Sequence, residues 1–122
     1  MNITRILVVD DEAIVADSIK LVLASDQNVV ETVTSAEKAL AAVQANQYDV
    51  IIVDYQMPQM KGDKLAAAIK ALTPQLPIIM ITAYGEALRH SGEFPLAVDK
   101  VISKPFDFEE LREAVRQLAA KA

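Results

Sequence analysis

Residues 50–53 form an uninterrupted run of apolar, β-branched residues (Val-Ile-Ile-Val) that ends on an acid, Asp54. A short apolar run of this kind is typical of a strand that is buried on both faces of a parallel sheet. Residues 6–9 and 78–81 share the pattern, because Asp10 follows the first run and Thr82 follows the second. The sequence therefore predicts a buried sheet whose central strands each lead into a polar side chain.

Helical periodicity fills the chain between these runs. Helices are predicted at about residues 12–24, from the N-cap Ser35, at about residues 65–72, near residues 86–90, and from Asp107, which forms a capping-box-like start with Glu110. The residues that follow helical spacing are Ile14, Val15, Ser18, Ile19 and Val22 in the first helix, Ala36, Leu40 and Val43 in the second, Leu65, Ile69 and Leu72 in the third, and Leu111, Ala114, Val115 and Leu118 in the last.

Strands and helices alternate along the chain, with further strands predicted at residues 28–33 and 100–103. Five strands alternating with five helices indicate a parallel sheet, right-handed crossovers and helices on both faces. The strand at residues 28–33 is more polar, so it belongs at an edge of the sheet. The predicted fold is a doubly wound, five-stranded α/β sheet in the order 2-1-3-4-5, the flavodoxin-like arrangement.

Length and composition indicate one domain covering residues 1–122, with 52% apolar residues available for its core. The chain has no cysteine, and no apolar run approaches the roughly 20 residues of a membrane span. No signal peptide precedes the first strand, so a cytoplasmic location is expected. The net charge of −5 argues against a nucleic-acid-binding surface and suits a cation site or a basic partner.

Polar residues from four predicted strands converge at one edge of this sheet. Parallel strands all point the same way, and ligands bind beyond their carboxyl ends, at the switch point between strands one and three. The residues at that edge are Asp10, Asp11, Asp54, Thr82 and Lys104. One polar residue at the end of a strand is ordinary, whereas three acids and a lysine together predict a site.

Three clustered carboxylates repel one another unless a proton or a cation neutralises them. Oxygen ligands in an incomplete protein cage suit Mg²⁺, which retains water and takes phosphate oxygens. Two of the acids could hold the metal while the third attacks phosphorus, because aspartyl-phosphate formation is an established form of covalent catalysis. The metal and Lys104 would then neutralise the phosphoryl charge, and the Thr82 hydroxyl would donate to a phosphoryl oxygen.

Four segments of the chain resemble the receiver domain of two-component response regulators, the CheY-like family. They are Asp10-Asp11, Asp54-Tyr55-Gln56-Met57-Pro58, Thr82-Ala83 and Lys104-Pro105-Phe106, and the resemblance extends from Arg5 to about Leu118. It implies a phosphorylation-controlled signalling switch rather than a classical enzyme. It also implies a sensor histidine kinase or phosphotransfer protein as partner. From the acidic charge and the lack of a membrane-length apolar run we expect no direct contact with nucleic acid or membrane, and we expect no output domain within residues 1–122.

The resemblance implies a role for each acid of the site. Asp54 would accept a phosphoryl group from a phosphohistidine. Mg²⁺, or Mn²⁺ in its place, would be bound directly by Asp11, Asp54 and the backbone carbonyl of Gln56. Asp10 would act on the metal largely through water.

The resemblance also implies how the site acts on the rest of the domain. Lys104 would pair with the phosphoryl group, and the bond between Lys104 and Pro105 would be cis. Thr82, which precedes Ala83, would shift toward the phosphoryl group and repack the face made by the fourth helix, the fifth strand and the fifth helix. Gln56 and Tyr84 flank the site, and we expect them to limit the access of water and so set the lifetime of the phosphoryl group.

This sequence departs from the family pattern at two positions. The family often has an aromatic residue three positions before the lysine, where this chain has Val101. An aromatic rotamer cannot carry the signal here, so backbone or helix rearrangement must do so. The residue before the loop glycine is Lys61 rather than the usual acid or amide.

Three other functions stay open on the residues alone. An Asp-nucleophile phosphatase would usually have an acid two residues after the nucleophile, where this chain has Gln56, and a cap domain for which 122 residues leave no room. A flavin or nucleotide binder would need glycines or hydroxyls where residues 10–12 are all acidic. A receiver-like interaction module that works without phosphorylation would not need the complete set of site residues.

Overall fold

The computed structural model describes residues 3–24, 28–58, 60–83 and 97–119. The strands in these ranges are β1 (Arg5–Val9), β2 (Val29–Val33), β3 (Val50–Asp54), β4 (Ile78–Thr82) and β5 (Lys100–Ser103). The helices are α1 (Ala13–Ala24), α2 (Ala36–Ala45), α3 (Gly62–Leu72) and α4 (Phe108–Ala119). α4 is the fifth helix of the sequence prediction, because the fourth, near residues 86–90, lies outside the described residues.

All five strands run parallel in one sheet in the order β2-β1-β3-β4-β5, which confirms the predicted fold. β3 and β4 lie inside the sheet, and every residue of both strands is buried. β2 lies at an edge and is mostly partly buried or exposed, as its more polar sequence requires. Burial on both faces explains why the runs at residues 50–53 and 78–81 are continuously apolar.

The sheet has a hydrophobic core on each side, because side chains alternate between the two faces of a strand. One core includes Leu7, Ile51 and Met80 and packs against residues of α2 and α3. The other includes Ile6 and Ile52 and packs against residues of α1 and α4. Within the described part of the chain, no helix is long and apolar enough to cross a membrane.

Capping hydrogen bonds confirm two of the predicted helix starts. The Ser35 hydroxyl accepts a hydrogen bond from the Lys38 backbone N–H (3.2 Å). The Asp107 carboxylate accepts one from the Glu109 backbone N–H (2.8 Å). Both bonds satisfy N–H groups that the first turn of a helix leaves without an intrahelical acceptor.

The buried face of α1 differs from the apolar stripe predicted for it. Its buried residues are Ala16, Ile19 and Leu23, whereas Ile14 is 82% exposed. Five residues along an α-helix rotate the side chain by about 140° away from alignment, so Ile14 points outward when Ile19 faces the sheet. Leu72, the last residue of α3, is also more exposed than its helical spacing predicts.

α3 begins at a glycine that packs directly against the backbone following β3. A Cβ atom at Gly62 would lie 2.7 Å from the Tyr55 Cα and 2.8 Å from the Asp54 carbonyl oxygen. The Gly62 N–H also donates to the Tyr55 carbonyl (2.9 Å). The absence of a side chain therefore lets this loop close onto the end of β3, directly behind Asp54.

Gly62→Ala is expected to destabilise the domain by about 2 kcal/mol, because its new methyl group overlaps backbone atoms that cannot rotate away. Urea unfolding followed by circular dichroism measures the loss. Lys64→Ala, an exposed substitution in the same helical turn, is the control and is expected to stay within about 0.5 kcal/mol of the parent. Equal stability of Gly62→Ala and the parent would contradict the steric role of this glycine.

Candidate functional site

Four neighbouring strands bring polar residues to the same edge of the sheet. Asp54 and Thr82 are the last residues of β3 and β4, Asp10 directly follows β1, and Lys104 directly follows β5. These strands are adjacent in the order β1-β3-β4-β5 and run parallel, so their carboxyl ends lie side by side. The structure thus brings the strand-end residues of the sequence prediction to one edge.

Asp54 and Lys104 form an ion pair at this edge. Lys104 Nζ lies 3.3 Å from Asp54 Oδ1, and the Gln56 backbone N–H donates to the same oxygen at 3.4 Å. The Asp54 side chain is 3% exposed, whereas the Lys104 side chain is 29% exposed. A carboxylate so withdrawn from water needs these partners, because leaving a buried charge unpaired costs on the order of 3–5 kcal/mol.

A second group of carboxylates follows β1. Asp10 is buried and accepts a hydrogen bond from the Glu12 backbone N–H (2.9 Å), whereas Asp11 and Glu12 are exposed. One carboxylate oxygen from each of these three residues lies within 4.8 Å of the other two. The structure therefore offers several hard oxygen ligands at one point beside Asp54.

Burial raises the pKa of both buried acids of the site. The pKa of Asp10 rises to about 6, mainly because burial disfavours the charged form, and the negative charges of Asp54 and Asp11 add to the rise. Burial also raises the pKa of Asp54, while the charge and hydrogen bond of Lys104 oppose that rise. One ammonium group therefore does not neutralise the site. The residues present fit a divalent cation that prefers oxygen ligands, since its charge would remove the remaining repulsion.

The other predicted site residues lie where the sequence placed them, with one outside the described chain. Thr82 is fully buried, and its carbonyl accepts a hydrogen bond from the Lys104 backbone N–H (2.8 Å). Ala83 follows it and is exposed. The peptide bond between Lys104 and Pro105 is cis, which confirms that prediction. Tyr84 lies outside the described residues.

Two charged residues beside the site were not assigned a role from the sequence. Glu12 belongs to the carboxylate group after β1, and the run of three acids at residues 10–12 was the signal for it. Lys61 places its ammonium group 5.5 Å from the centre of the Tyr55 ring, next to the proposed nucleophile. That contact depends on the loop closing at Gly62, which sequence spacing does not reveal.

Comparison with known proteins gives one consistent result. The family model described as the response regulator receiver domain matches residues 6–116. The transcriptional regulatory protein CutR of Streptomyces coelicolor is 32% identical over 117 residues, which cover 96% of this chain and 54% of CutR. The transcriptional regulatory protein ResD of Bacillus subtilis is 32% identical over 121 residues, covering 99% of this chain and 50% of ResD. The chain thus spans about half the length of the curated relatives it matches.

Two solved structures agree with these sequence matches. The response regulator TrrA of Thermotoga maritima, determined in complex with Mg²⁺-BeF, is 33% identical to this chain. The two structures superpose with a TM-score of 0.85 over 95% of this chain and 99% of the TrrA chain. A CheY-like receiver domain protein from Methanospirillum hungatei is 27% identical and gives a TM-score of 0.89 over 98% and 96% of the two chains.

Asp10→Asn is expected to reduce the pH dependence of stability in the metal-free domain. The pKa of Asp10 is about 6 in the folded state, above its ordinary value of 3.8, so the folded state binds more protons between these pH values. Stability therefore falls as the pH rises through this window, by on the order of 2–3 kcal/mol for a shift of this size.

Urea unfolding at pH 4.5 and pH 7 in the presence of a chelator measures this effect. Asp10→Asn is expected to be more stable than the parent at pH 7, because the substitution removes a charge that the metal-free site does not neutralise. Asp17→Asn is the control, since it changes an exposed acid on α1 that lies outside the carboxylate group of residues 10–12. If Asp10→Asn lost stability with rising pH as steeply as the parent, the electrostatic account of Asp10 would be wrong.

Proposed function

This chain belongs to the family of response regulator receiver domains, which are signalling domains, and from that premise we propose that it is a phosphoacceptor switch. In this proposal Asp54 accepts a phosphoryl group from the phosphohistidine of a sensor histidine kinase or phosphotransfer protein. The observation that carries the proposal is the 3.3 Å pairing of buried Asp54 with Lys104, beside the carboxylates of residues 10–12. The site therefore contains a nucleophilic carboxylate, an ammonium group and a group of oxygen ligands for a metal ion.

The transfer is an in-line displacement at phosphorus. An Asp54 carboxylate oxygen forms the new bond to phosphorus while the P–N bond of the phosphohistidine breaks, and the electrons of that bond leave on the imidazole nitrogen. Burial makes the Asp54 carboxylate more basic, and Lys104 keeps it ionised for attack. The Lys104 ammonium then has the phosphoryl oxygens as its partners, which disperses their charge.

The oxygen ligands beside Asp54 define the proposed cofactor. Asp11, Asp54 and the backbone carbonyl of Gln56 would hold Mg²⁺ or Mn²⁺ directly, with Asp10 acting through water. The bound cation would neutralise charge that develops on the phosphoryl group. Two observations support this assignment, namely the closely spaced carboxylate oxygens of residues 10–12 and the raised pKa of Asp10.

The signal leaves the site through the neighbouring strand ends. We expect Thr82 to move toward the phosphoryl group, with Ala83 moving with it, and the change to reach the surface that includes β5 and α4. Val101 is buried on β5. Because it is aliphatic, no aromatic rotamer can transmit the change, and we expect the backbone and the helices to do so. Gln56 is exposed next to Asp54, and we expect it to limit attack by water together with Tyr84.

The proposed phosphodonor docks on a groove beside Lys104. The groove has a volume of about 350 Å³ and lies between α1 and the segment that follows β5. Its lining includes Ile14, Ile19, Pro105, Phe106 and Phe108. Ile14 and Phe108 expose large apolar side chains there, and Lys104 belongs both to the groove and to the Asp54 pair. A partner with an apolar surface that covers these side chains would bring its phosphohistidine to the site.

We also propose where the domain works and what reads its signal. Residues 1–122 would form a receiver unit, work in the cytoplasm and make no direct contact with nucleic acid or membrane. The output domain or protein that reads the switch would contact the surface that includes β5 and α4. The names of CutR and ResD support an output in transcriptional regulation.

Incubation of the domain with Mg²⁺ and acetyl phosphate is expected to add one phosphoryl group, which intact-mass spectrometry detects. Asp54→Ala should abolish the addition because it removes the attacking oxygen, and a chelator should suppress it because no cation then neutralises the site. Lys104→Ala is expected to slow it about tenfold or more. Lys100→Ala, which changes an exposed lysine at the other end of β5, is the matched control and should leave the rate unchanged. A parent domain that gains no phosphoryl group would favour a receiver-like module that works without phosphorylation, whereas equal labelling of Asp54→Ala would place the phosphoryl group on another residue.

Ile14→Asp is expected to slow phosphotransfer from a phosphohistidine kinase that labels the parent, by about tenfold, because it places a charge in an apolar contact. Labelling by acetyl phosphate should keep the parental rate, since this small donor does not need the groove. Leu21→Asp is the matched control, because Leu21 is exposed on the same helix but does not line the groove. Equal rates for Ile14→Asp and the parent with the protein donor would place the docking surface elsewhere.

A further inference from the structure

One hydroxyl group at the end of β5 has no partner in the part of the chain that the structure describes. Ser103 is a partly buried residue, but its Oγ atom is shielded from solvent and makes no hydrogen bond there. A hydroxyl that loses its hydrogen bonds to water without gaining others destabilises the state in which this happens. Such a group in a native structure calls for a physical explanation.

Ser103 lies directly beside Thr82. The two residues are register partners in the parallel ladder between β4 and β5, and the Lys104 backbone N–H donates to the Thr82 carbonyl (2.8 Å) immediately after this pair. Neighbouring strands are roughly 4.8 Å apart, and paired residues of a parallel ladder direct their side chains to the same face. Two hydroxyl side chains are thus neighbours at the strand ends, next to the site.

We propose that Ser103 is a positioning residue for Thr82, an inference that rests on the proposed phosphoacceptor function. When the Thr82 hydroxyl donates to a phosphoryl oxygen, its own oxygen becomes the acceptor for the Ser103 O–H. Hydroxyl groups that form such a chain of hydrogen bonds polarise one another, so each bond strengthens the next. The hydroxyl that lacks a partner in the unmodified domain gains one in the phosphorylated domain.

The position of Ser103 gives this pair a part in the switch. Val101 lies two residues earlier on the same face of β5, paired with Met80, and it is buried and aliphatic. Of these two pairs on the same face, only Thr82 and Ser103 have side chains that can form a hydrogen bond between β4 and β5. Because Ser103 destabilises the unmodified state and stabilises the modified one, it shifts the equilibrium between them toward the modified state.

The experiment compares two forms of the domain, one with Mg²⁺ alone and one with Mg²⁺ and beryllium fluoride as the phosphoryl mimic. Ser103→Ala is expected to raise the melting temperature of the Mg²⁺ form by about 2–5 °C, because the hydroxyl without a partner is gone. The same substitution should weaken beryllium fluoride binding, measured by calorimetry, about five- to twentyfold. Ser103→Thr retains the hydroxyl and is expected to bind beryllium fluoride within about twofold of the parent.

Ser18→Ala is the control, because it removes an exposed α1 hydroxyl that bonds the Ile14 carbonyl, and it should change neither quantity. A hydroxyl with a purely structural role would shift the melting temperatures of both forms equally and leave the binding constant unchanged. That result for Ser103→Ala, or a lower melting temperature of its Mg²⁺ form, would overturn the proposal. A parent domain that binds no beryllium fluoride and gains no phosphoryl group would instead contradict the proposed function.

Discussion

The pairing of Lys104 with Asp54 is the interaction on which the rest of the site depends. The two residues belong to the ends of β5 and β3, so their ion pair extends past the end of β4, where Thr82 lies. The carboxylate is almost fully withdrawn from water, and the ammonium group supplies the charge that makes this burial possible. Because Lys104 is itself partly exposed, its ammonium can stay at the site when a phosphoryl group arrives and exchange one acidic partner for another.

The carboxylates after β1 add negative charge that the ammonium group of Lys104 does not neutralise. Asp10, Asp11 and Glu12 lie close together beside Asp54, and the raised pKa of Asp10 reflects the cost of keeping the buried acid charged. A fold selected for stability alone would not collect these groups on the rims of buried strands. The arrangement becomes favourable when a divalent cation and a phosphoryl group enter the site together, which links the instability of the metal-free site to the proposed function.

The buried strands hold the site residues in place, and the two faces of the sheet present different surfaces at its edge. β3 and β4 are buried throughout, so Asp54 and Thr82 have well-defined positions. Gly62 closes the loop behind Asp54. The groove beside α1 and the pair of hydroxyls at β4 and β5 lie on opposite faces of the sheet. Contact with a phosphodonor and transmission of the signal can therefore use different surfaces.

The sequence by itself determined the strand order and the polar residues that converge at one edge of the sheet. Continuous apolar runs are stable only as strands shielded on both faces, and parallel strands necessarily present their carboxyl ends, with Asp10, Asp54 and Thr82, at one edge. Periodicity was less informative for α1, where Ile14 follows helical spacing but lies outside the core, because burial depends on which side of the helix the sheet occupies.

Only the tertiary structure decided the features that depend on how the strands and loops pack. These are the approach of Gly62 to the backbone of Asp54, the size of the pKa shift at Asp10, and the position of the Ser103 hydroxyl beside Thr82. Residue type and spacing indicate which groups can interact. Burial, and the contacts that satisfy or fail to satisfy a polar atom, arise only when the strands and helices have packed.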